Sequence, residues 1–184
     1  MCVCVCVCVC VYDARASNWS VLISEDGLTV QRSPYVSYWC MARGAKRMSA
    51  NHRYFAVQIT RNSPYMYVGL AYDGSSTSDA YNSQTVVCRK GTGDPYLRGV
   101  KINKPRNSME SPDSNGSTNA VTGFRNSDLV GVLVDPVAGK VALYCNGVLQ
   151  RWVSGLQTSA AIRSFVSIGA HDVAAVLEEG LYEP

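Results

Sequence analysis

The sequence lacks several features that would each assign a protein class at once. No apolar run approaches the roughly 20 residues that a membrane-spanning helix needs, so no membrane association is expected. Charged residues make up only 17% of the 184 residues, and the net charge is +3, which argues against a strong nucleic-acid footprint or an acidic tail. Because 47% of the residues are hydrophobic, we expect one globular domain with a buried core.

Motifs for catalysis and metal binding are also missing. The two histidines are His52 and His171; Asp172 follows His171, but neighbours on a strand point to opposite faces and cannot form a relay. There is no Gly-x-Ser-x-Gly, His-Glu-x-x-His or phosphate-binding glycine motif, and no cluster of acidic residues for calcium. The prediction is a non-enzyme with no cofactor and no metal.

Five of the eight cysteines occur in the opening run MCVCVCVCVC. In an extended chain these thiols share one face about 6.5–7 Å apart, too far for two of them to hold one zinc. An apolar run followed by Ala14-Arg15-Ala16 resembles a secretion signal, but no basic residue precedes it. Alternating TG repeats in DNA would encode the same run. We predict that residues 1–12 form a low-complexity tail outside the core, or an extra edge strand, and that the domain spans 13–184.

The other three cysteines, Cys40, Cys88 and Cys145, are widely spaced and odd in number. They suit neither a disulfide framework nor a zinc site. Small apolar core residues of this type are typical of a reducing compartment. The expected location is therefore intracellular, in the cytoplasm or the nucleus.

Period-two alternation is what the sequence does contain in quantity. Asn146-Gly147 between two apolar runs is a strong hairpin signal, since both residue types tolerate positive φ, whereas helix signals are confined to turns such as Ser159–Arg163. Residues 103–123, rich in Ser, Asn and Pro, predict a long exposed loop. The predicted strands are Trp19–Ile23, Leu28–Gln31, Tyr54–Thr60, Tyr65–Tyr72, Thr85–Arg89, Leu97–Ile102, Leu129–Asp135, Lys140–Cys145, Val148–Val153, Phe165–Ile168 and Val173–Leu177.

About a dozen short strands separated by turns predict an all-β fold, a two-sheet antiparallel β-sandwich. Alternate residues of each strand would face the partner sheet. The predicted inward-facing core residues are Phe55, Val57, Ile59, Val130, Val132, Val134 and Leu143.

An ordered set of motifs across residues 19–178 resembles the SPRY domain. The motifs are a SEDGL hairpin, a basic and aromatic strand, a VGLA strand and a DLVGVLVD…NG double hairpin, at Ile23–Val30, Met48–Val57, Val68–Ala71 and Asp128–Gly147. Trp39–Arg43 and Phe165–Ile168 resemble two further strands of that family. Ala56 stands where the family has Glu, and Ser127 where it has Gly.

The resemblance implies a concanavalin A-like jelly roll that works as a monomeric, non-enzymatic recognition module. In that family, loops at one end of the sandwich bind a short peptide or a loop of a partner protein, as in adaptor, scaffold or substrate-recognition subunits. The matching positions here are the loops Asp73–Gln84 and Arg89–Arg98 and the place after Phe165–Ile168 where relatives carry Trp. The candidate partner-binding residues are Tyr72, Asp73, Tyr81, Tyr96, Arg98 and His171, with packing as the alternative role of each tyrosine.

Two other functions remain open. RNA binding would use basic residues interleaved with Tyr54 and Tyr96; these basic residues form two groups, Arg43, Lys46, Arg47 and Arg53, and Arg98, Lys101, Lys104 and Arg106. Carbohydrate binding is an analogy with lectins of the same sandwich fold.

Overall fold

The computed structural model describes residues 11–15, 17, 20–35, 39–49, 53–60, 66–74, 124–157 and 159–168, and the backbone of strands at 85–89, 95–97, 100–101 and 175–179. This part of the chain forms thirteen strands and no helix. The strands are β1 (Val21–Ile23), β2 (Thr29–Arg32), β3 (Cys40–Arg47), β4 (Tyr54–Ile59), β5 (Met66–Tyr72), β6 (Thr85–Arg89), β7 (Pro95–Leu97), β8 (Val100–Lys101), β9 (Leu129–Asp135), β10 (Lys140–Cys145), β11 (Val148–Ser154), β12 (Ile162–Ile168) and β13 (Ala175–Glu179).

Two antiparallel sheets form the architecture, as predicted. The seven-stranded sheet has the order β1-β2-β13-β4-β9-β10-β11, and the six-stranded sheet has the order β3-β12-β5-β6-β7-β8. Apolar residues from both sheets pack into one core, which contains all seven of the predicted core residues. This confirms the predicted β-sandwich, because the period-two pattern alone placed those side chains on the inner face.

A smaller apolar cluster lies on the outer face of the six-stranded sheet. Tyr67 and Phe165 are fully buried there with Met41 and Ala71, in alternation with the residues that enter the main core. Trp39 packs on Tyr67 with ring centroids 5.1 Å apart. The centre of this sheet is therefore apolar on both faces, which explains why β5 is buried along its whole length.

Two local predictions need correction. The single strand predicted at Leu97–Ile102 is a hairpin, in which Leu97 pairs with Val100 and Tyr96 pairs with Lys101. The helical turn suggested for Ser159–Arg163 is replaced by the start of β12, whose pairing with β5 overrides local propensity. The predicted loop 103–123 lies outside the described residues.

Residues Val11–Asp13 form a short N-terminal strap along the edge of β3. The Asp13 amide donates to the Arg43 carbonyl and the Ala45 amide donates to the Val11 carbonyl, both at 2.8 Å. The Tyr12 amide donates to the carbonyl of Gly27 in the β1–β2 turn at 2.8 Å, and the Tyr12 side chain is only 4% exposed within the main core. Tyr12, the last residue of the predicted tail, is thus buried, and the pairing of Val11 and Asp13 with β3 is of the kind expected for the alternative, an extra edge strand. Residues 1–10 lie outside the described residues.

The β9–β10–β11 meander closes through the predicted Asn-Gly turn. Asn146 and Gly147 have φ of 51° and 78°, the left-handed values that a tight two-residue hairpin requires. The Asn146 side chain accepts a hydrogen bond from the Leu129 amide and donates one to Asp128 Oδ1, each at 2.9 Å. Asp128 also accepts from the Arg125 amide. This carboxylate therefore joins the start of β9 to the turn after β10.

Candidate partner-binding site

Three charged side chains meet where β3 and β5 end and β12 begins. Arg163 of β12 pairs across the sheet with Arg47 of β3 on one side and with Ala71 of β5 on the other. Asp73 follows β5 directly, and its amide donates to the Ala161 carbonyl at 2.8 Å. The β12–β3 pairing shifts register between Arg163 and Phe165, and this irregularity sets which β3 residue lies opposite Arg163. Strand register therefore places one carboxylate between two guanidinium groups.

Asp73 binds both arginines, but the two contacts differ. Arg163 Nε donates to Asp73 Oδ1 at 2.8 Å, and the same guanidinium donates to the carbonyls of Gly44 and Ala45. Arg47 Nε donates to Asp73 Oδ2 at 2.8 Å, and its Nη2 lies 2.7 Å from the same oxygen. The side chain of Arg163 is 18% exposed and that of Arg47 is 62% exposed. Arg163 is thus fixed in the sheet, whereas Arg47 faces solvent.

The cluster favours an ionised Asp73. Partial burial raises the pKa of this carboxyl, but the hydrogen bonds from Arg163 and Arg47 outweigh it, and the net pKa is lowered. Burial lowers the pKa of the neighbouring Arg43, with Asp73 acting in the opposite direction and Arg163 in the same one. Asp73 therefore stabilises several positive charges held close together.

Tyr72 has a packing role in this structure. Its side chain is 6% exposed and belongs to the main core, and its hydroxyl accepts a hydrogen bond from the Gln157 amide at 2.8 Å. A side chain in this position supports the base of the loop that follows instead of offering a surface to a partner. Asp73, the candidate that follows β5 directly, has a partly exposed side chain, at 28% exposure.

The remaining candidates are located only in part. Tyr81, Arg98 and His171 lie outside the described residues, and for Tyr96 only the backbone is described, opposite Val87 of β6. The β7–β8 hairpin pairs Leu97 with Val100, so it turns at the end of the sheet where Asp73 lies. In contrast, β12 runs away from Asp73 and ends at Ile168, opposite Met66. The segment that carries His171 therefore starts at the far end of the sheet from Asp73.

Arg163 is the residue that sequence reasoning missed. It is 90 positions from Asp73, and no local motif marks it. Arg47 appears in the predicted basic group, but its pairing with a carboxylate depends on the same long-range register. Arg43, from the same predicted basic group, interacts electrostatically with Asp73 and Arg163.

The two described thiols are poor nucleophiles. Burial raises the pKa of Cys40 to about 11, against a smaller opposing effect of Arg32. Burial, followed by the charge and hydrogen bond of Asp128, raises the pKa of Cys145 to about 11. Both are therefore protonated at neutral pH. Among the described residues, no three His, Cys, Asp or Glu side chains are grouped so as to hold a metal, and none forms a helix with the length and apolarity of a membrane span.

No protein-family model and no curated protein matches the sequence, but solved structures do. The SPRY domain of human HERC1 superposes with a TM-score of 0.74 at 11% identity, covering 94% of this chain and 99% of that one. The protein has the fold of a SPRY domain. A second human SPRY domain gives 0.68 at 13% identity over 86% of this chain and 94% of that one. The PSpry domain of TRIM65 gives 0.63 at 13% identity, covering 92% and 91%.

The structural likeness bears out the resemblance drawn from the ordered motifs. It extends over nearly the whole chain, so the SPRY fold accounts for both sheets. At 11–13% identity the likeness concerns the fold, and the residues of the Asp73 cluster are argued from their own contacts.

Proposed function

We propose that this SPRY-fold protein is a non-enzymatic protein–protein interaction module, which captures a short peptide or a loop of a partner protein. The proposed binding surface is the Asp73 end of the six-stranded sheet, with the loop Asp73–Gln84 and the β7–β8 hairpin. Adaptor, scaffold and substrate-recognition subunits use such modules. An intracellular location and a monomeric state are part of the same proposal.

The observation that carries the proposal is the Arg47–Asp73–Arg163 cluster. It fixes the first residue of the loop to two neighbouring strands, and it leaves one guanidinium facing solvent. A rigid scaffold that positions the base of a loop is a common setting for binding residues, and ordering this residue in advance lowers the entropy cost of binding there. The buried Tyr72 ring adds to this support through the Gln157 amide. These features suit recognition by a preformed surface.

The thiols support the same view. A catalytic cysteine needs a thiolate fraction near neutral pH, and both described thiols have a raised pKa. Neither described thiol is therefore suited to nucleophilic catalysis, in keeping with a binding function.

The test compares two aromatic truncations. The purified module captures proteins from a lysate of its own cells, and mass spectrometry identifies what is retained by the wild type and lost by Tyr81→Ala/Tyr96→Ala. Trp152→Ala is the matched control, because Trp152 is 47% exposed on β11 of the other sheet. We expect the double variant to lose a specific partner at an unchanged melting temperature, and the control to keep it.

Two results would overturn the proposal. A large loss of stability in the double variant would assign the tyrosines to packing, and equal capture by all three proteins would place the binding surface elsewhere. A single-stranded RNA probe at low salt tests the RNA alternative, since RNA binding weakens steeply as salt rises.

A further inference from the structure

The Arg47 guanidinium is more available than its ion pair suggests. Within the described part of the chain, the polar contacts of its side chain are confined to Oδ2 of Asp73, which both Nε and Nη2 approach. A guanidinium has five N–H donors, so this arrangement leaves donors directed to solvent from a side chain that is 62% exposed. Arg47 can therefore accept a second anionic group without leaving the cluster.

Charge at this site also favours an incoming anion. One carboxylate serves both Arg47 and Arg163, so the contacting groups carry one more positive charge than negative. Arg43 lies close enough to interact electrostatically with Asp73 and Arg163. Partial burial keeps this field from being screened as fully as it would be on open surface.

We infer that Arg47 binds an Asp or Glu carboxylate of the partner's peptide, and that Asp73 is an internal placeholder sharing this guanidinium until the partner docks. The inference rests on the proposed function, since it assumes that a peptide docks at the Asp73 end. Arg163 stays in place during the exchange, because it also donates to the Gly44 and Ala45 carbonyls. The partner's carboxylate thus meets one movable arginine beside one fixed ion pair.

A carboxylate side chain fits the site better than an RNA backbone does. Arg43 is buried and Arg163 is 18% exposed, so Arg47 is the main charge of the cluster that a ligand can reach. RNA binding uses a groove of several exposed cations with aromatic rings for stacking, whereas one exposed guanidinium dominates this cluster. A single planar guanidinium group is suited to one carboxylate, which it can bind with two parallel hydrogen bonds.

A displayed library of random short peptides, selected on the wild-type protein, tests the inference. The enriched peptides are expected to share one acidic position. A synthetic peptide with that acid should bind about tenfold more tightly than its amide counterpart, Asp to Asn or Glu to Gln. Arg47→Gln should remove this preference, so that acid and amide peptides bind equally, whereas Arg125→Gln, an exposed arginine away from the cluster, should keep it.

Two further variants sharpen the test. Arg47→Lys keeps the charge without the planar fork and should give an intermediate preference. Asp73→Asn removes the internal placeholder and should tighten binding of the acidic peptide several-fold. If Asp73 itself contacts the partner, as the sequence-based prediction had it, the same change weakens binding. Thermal melts of each variant confirm that the compared proteins are folded.

The outcomes separate the inference from the proposed function. Peptides that need Tyr81 or Tyr96 but show no acidic preference, or a preference that survives Arg47→Gln, would overturn the inference and leave the proposed function standing. Failure to enrich any peptide counts against both. Tighter binding of oligouridine RNA than of any selected peptide at physiological salt, lost in Arg47→Gln, would replace the peptide with RNA.

Discussion

Asp73 and Asp128 are two carboxylates with similar settings and different partners. Both are partly exposed at a strand terminus, and both have a lowered pKa because hydrogen bonds outweigh partial burial. Asp128 accepts hydrogen bonds from the Asn146 amide group and the Arg125 backbone. Asp73 accepts from the side chains of Arg47 and Arg163.

The different partners suggest a structural role for Asp128 and a binding role for Asp73. The partners of Asp128 belong to turns whose backbone geometry is already fixed, so its hydrogen bonds help to hold the meander together. One partner of Asp73 is a long, exposed side chain that can move without disturbing a strand. We therefore expect changes at Asp128 to act mainly on stability and changes at Asp73 to act mainly on binding.

The largest expected effect is at Asp128. Asp128→Ala leaves the Asn146 side chain and the Arg125 amide without their acceptor, and should lower the free energy of unfolding by about 2–3 kcal/mol. Asp73→Ala removes ion pairs with Arg47 and Arg163, of which the first is largely exposed, and should lower it by about 1 kcal/mol. Urea denaturation of both variants measures this, and a larger loss at Asp73 would reverse the comparison.

Asn146, the uncharged hydrogen-bond partner of Asp128, provides a second test of this turn. Asn146→Ala places alanine at a φ of 51° and removes the bonds to Leu129 and Asp128, which should cost about 2 kcal/mol. Asn146→Gly loses the same bonds but adopts this φ without strain, so its cost should be smaller. Equal costs for the two variants would show that backbone conformation contributes little here.

Ser127 offers a gain in stability beside Asp128. Its φ is 65°, a left-handed value that glycine adopts without strain. Ser127→Gly should therefore raise the free energy of unfolding by about 1 kcal/mol, the relief of strain exceeding the added flexibility of the unfolded chain. Ser154→Gly within β11 is the control, and it should destabilise by about 0.5–1 kcal/mol. Destabilisation by both variants would contradict this account.

The smallest expected effect is on how the free energy of unfolding depends on pH and salt concentration. A carboxyl with a depressed pKa in the folded state stabilises the fold above its unfolded pKa, near 3.8, and this contribution is lost as the pH falls through the folded pKa. Asp73→Asn and Asp128→Asn should each make the decline of stability below pH 3.8 shallower. High salt should diminish the effect of Asp73→Asn more than that of Asp128→Asn, because ion pairs between exposed groups are screened. Acid titrations at two salt concentrations measure both.

Sequence reasoning recovered the sandwich because its signals are local. Alternation placed Val130, Val132 and Val134 in the core, and Asn146-Gly147 specified its turn through residues that tolerate positive φ. Errors arose where pairing overrides the local pattern. The apolar run Leu97–Ile102 folds back as a hairpin, and Tyr12 enters the core through contacts with residues far along the chain.

The candidate site was recovered less completely for the same reason. Asp73 could be proposed from its place after a strand, but its partners depend on how β3, β12 and β5 align. A shift in strand register beside Arg163 contributes to that alignment, and no pattern in the sequence predicts this shift. Tyr72 was a candidate for binding with packing as its alternative role, and alternation could not decide between the two because β5 is apolar on both faces.

The N-terminal strap has a consequence for how the sandwich opens. Tyr12 is hydrogen-bonded to the β1–β2 turn of one sheet, and its neighbours Val11 and Asp13 are bonded to β3 of the other. Three consecutive residues thus join the two sheets at one edge of the sandwich, so the sheets can separate there only if these hydrogen bonds break. The exchange rates of the Asp13 and Ala45 amides would report how often the strap detaches from β3.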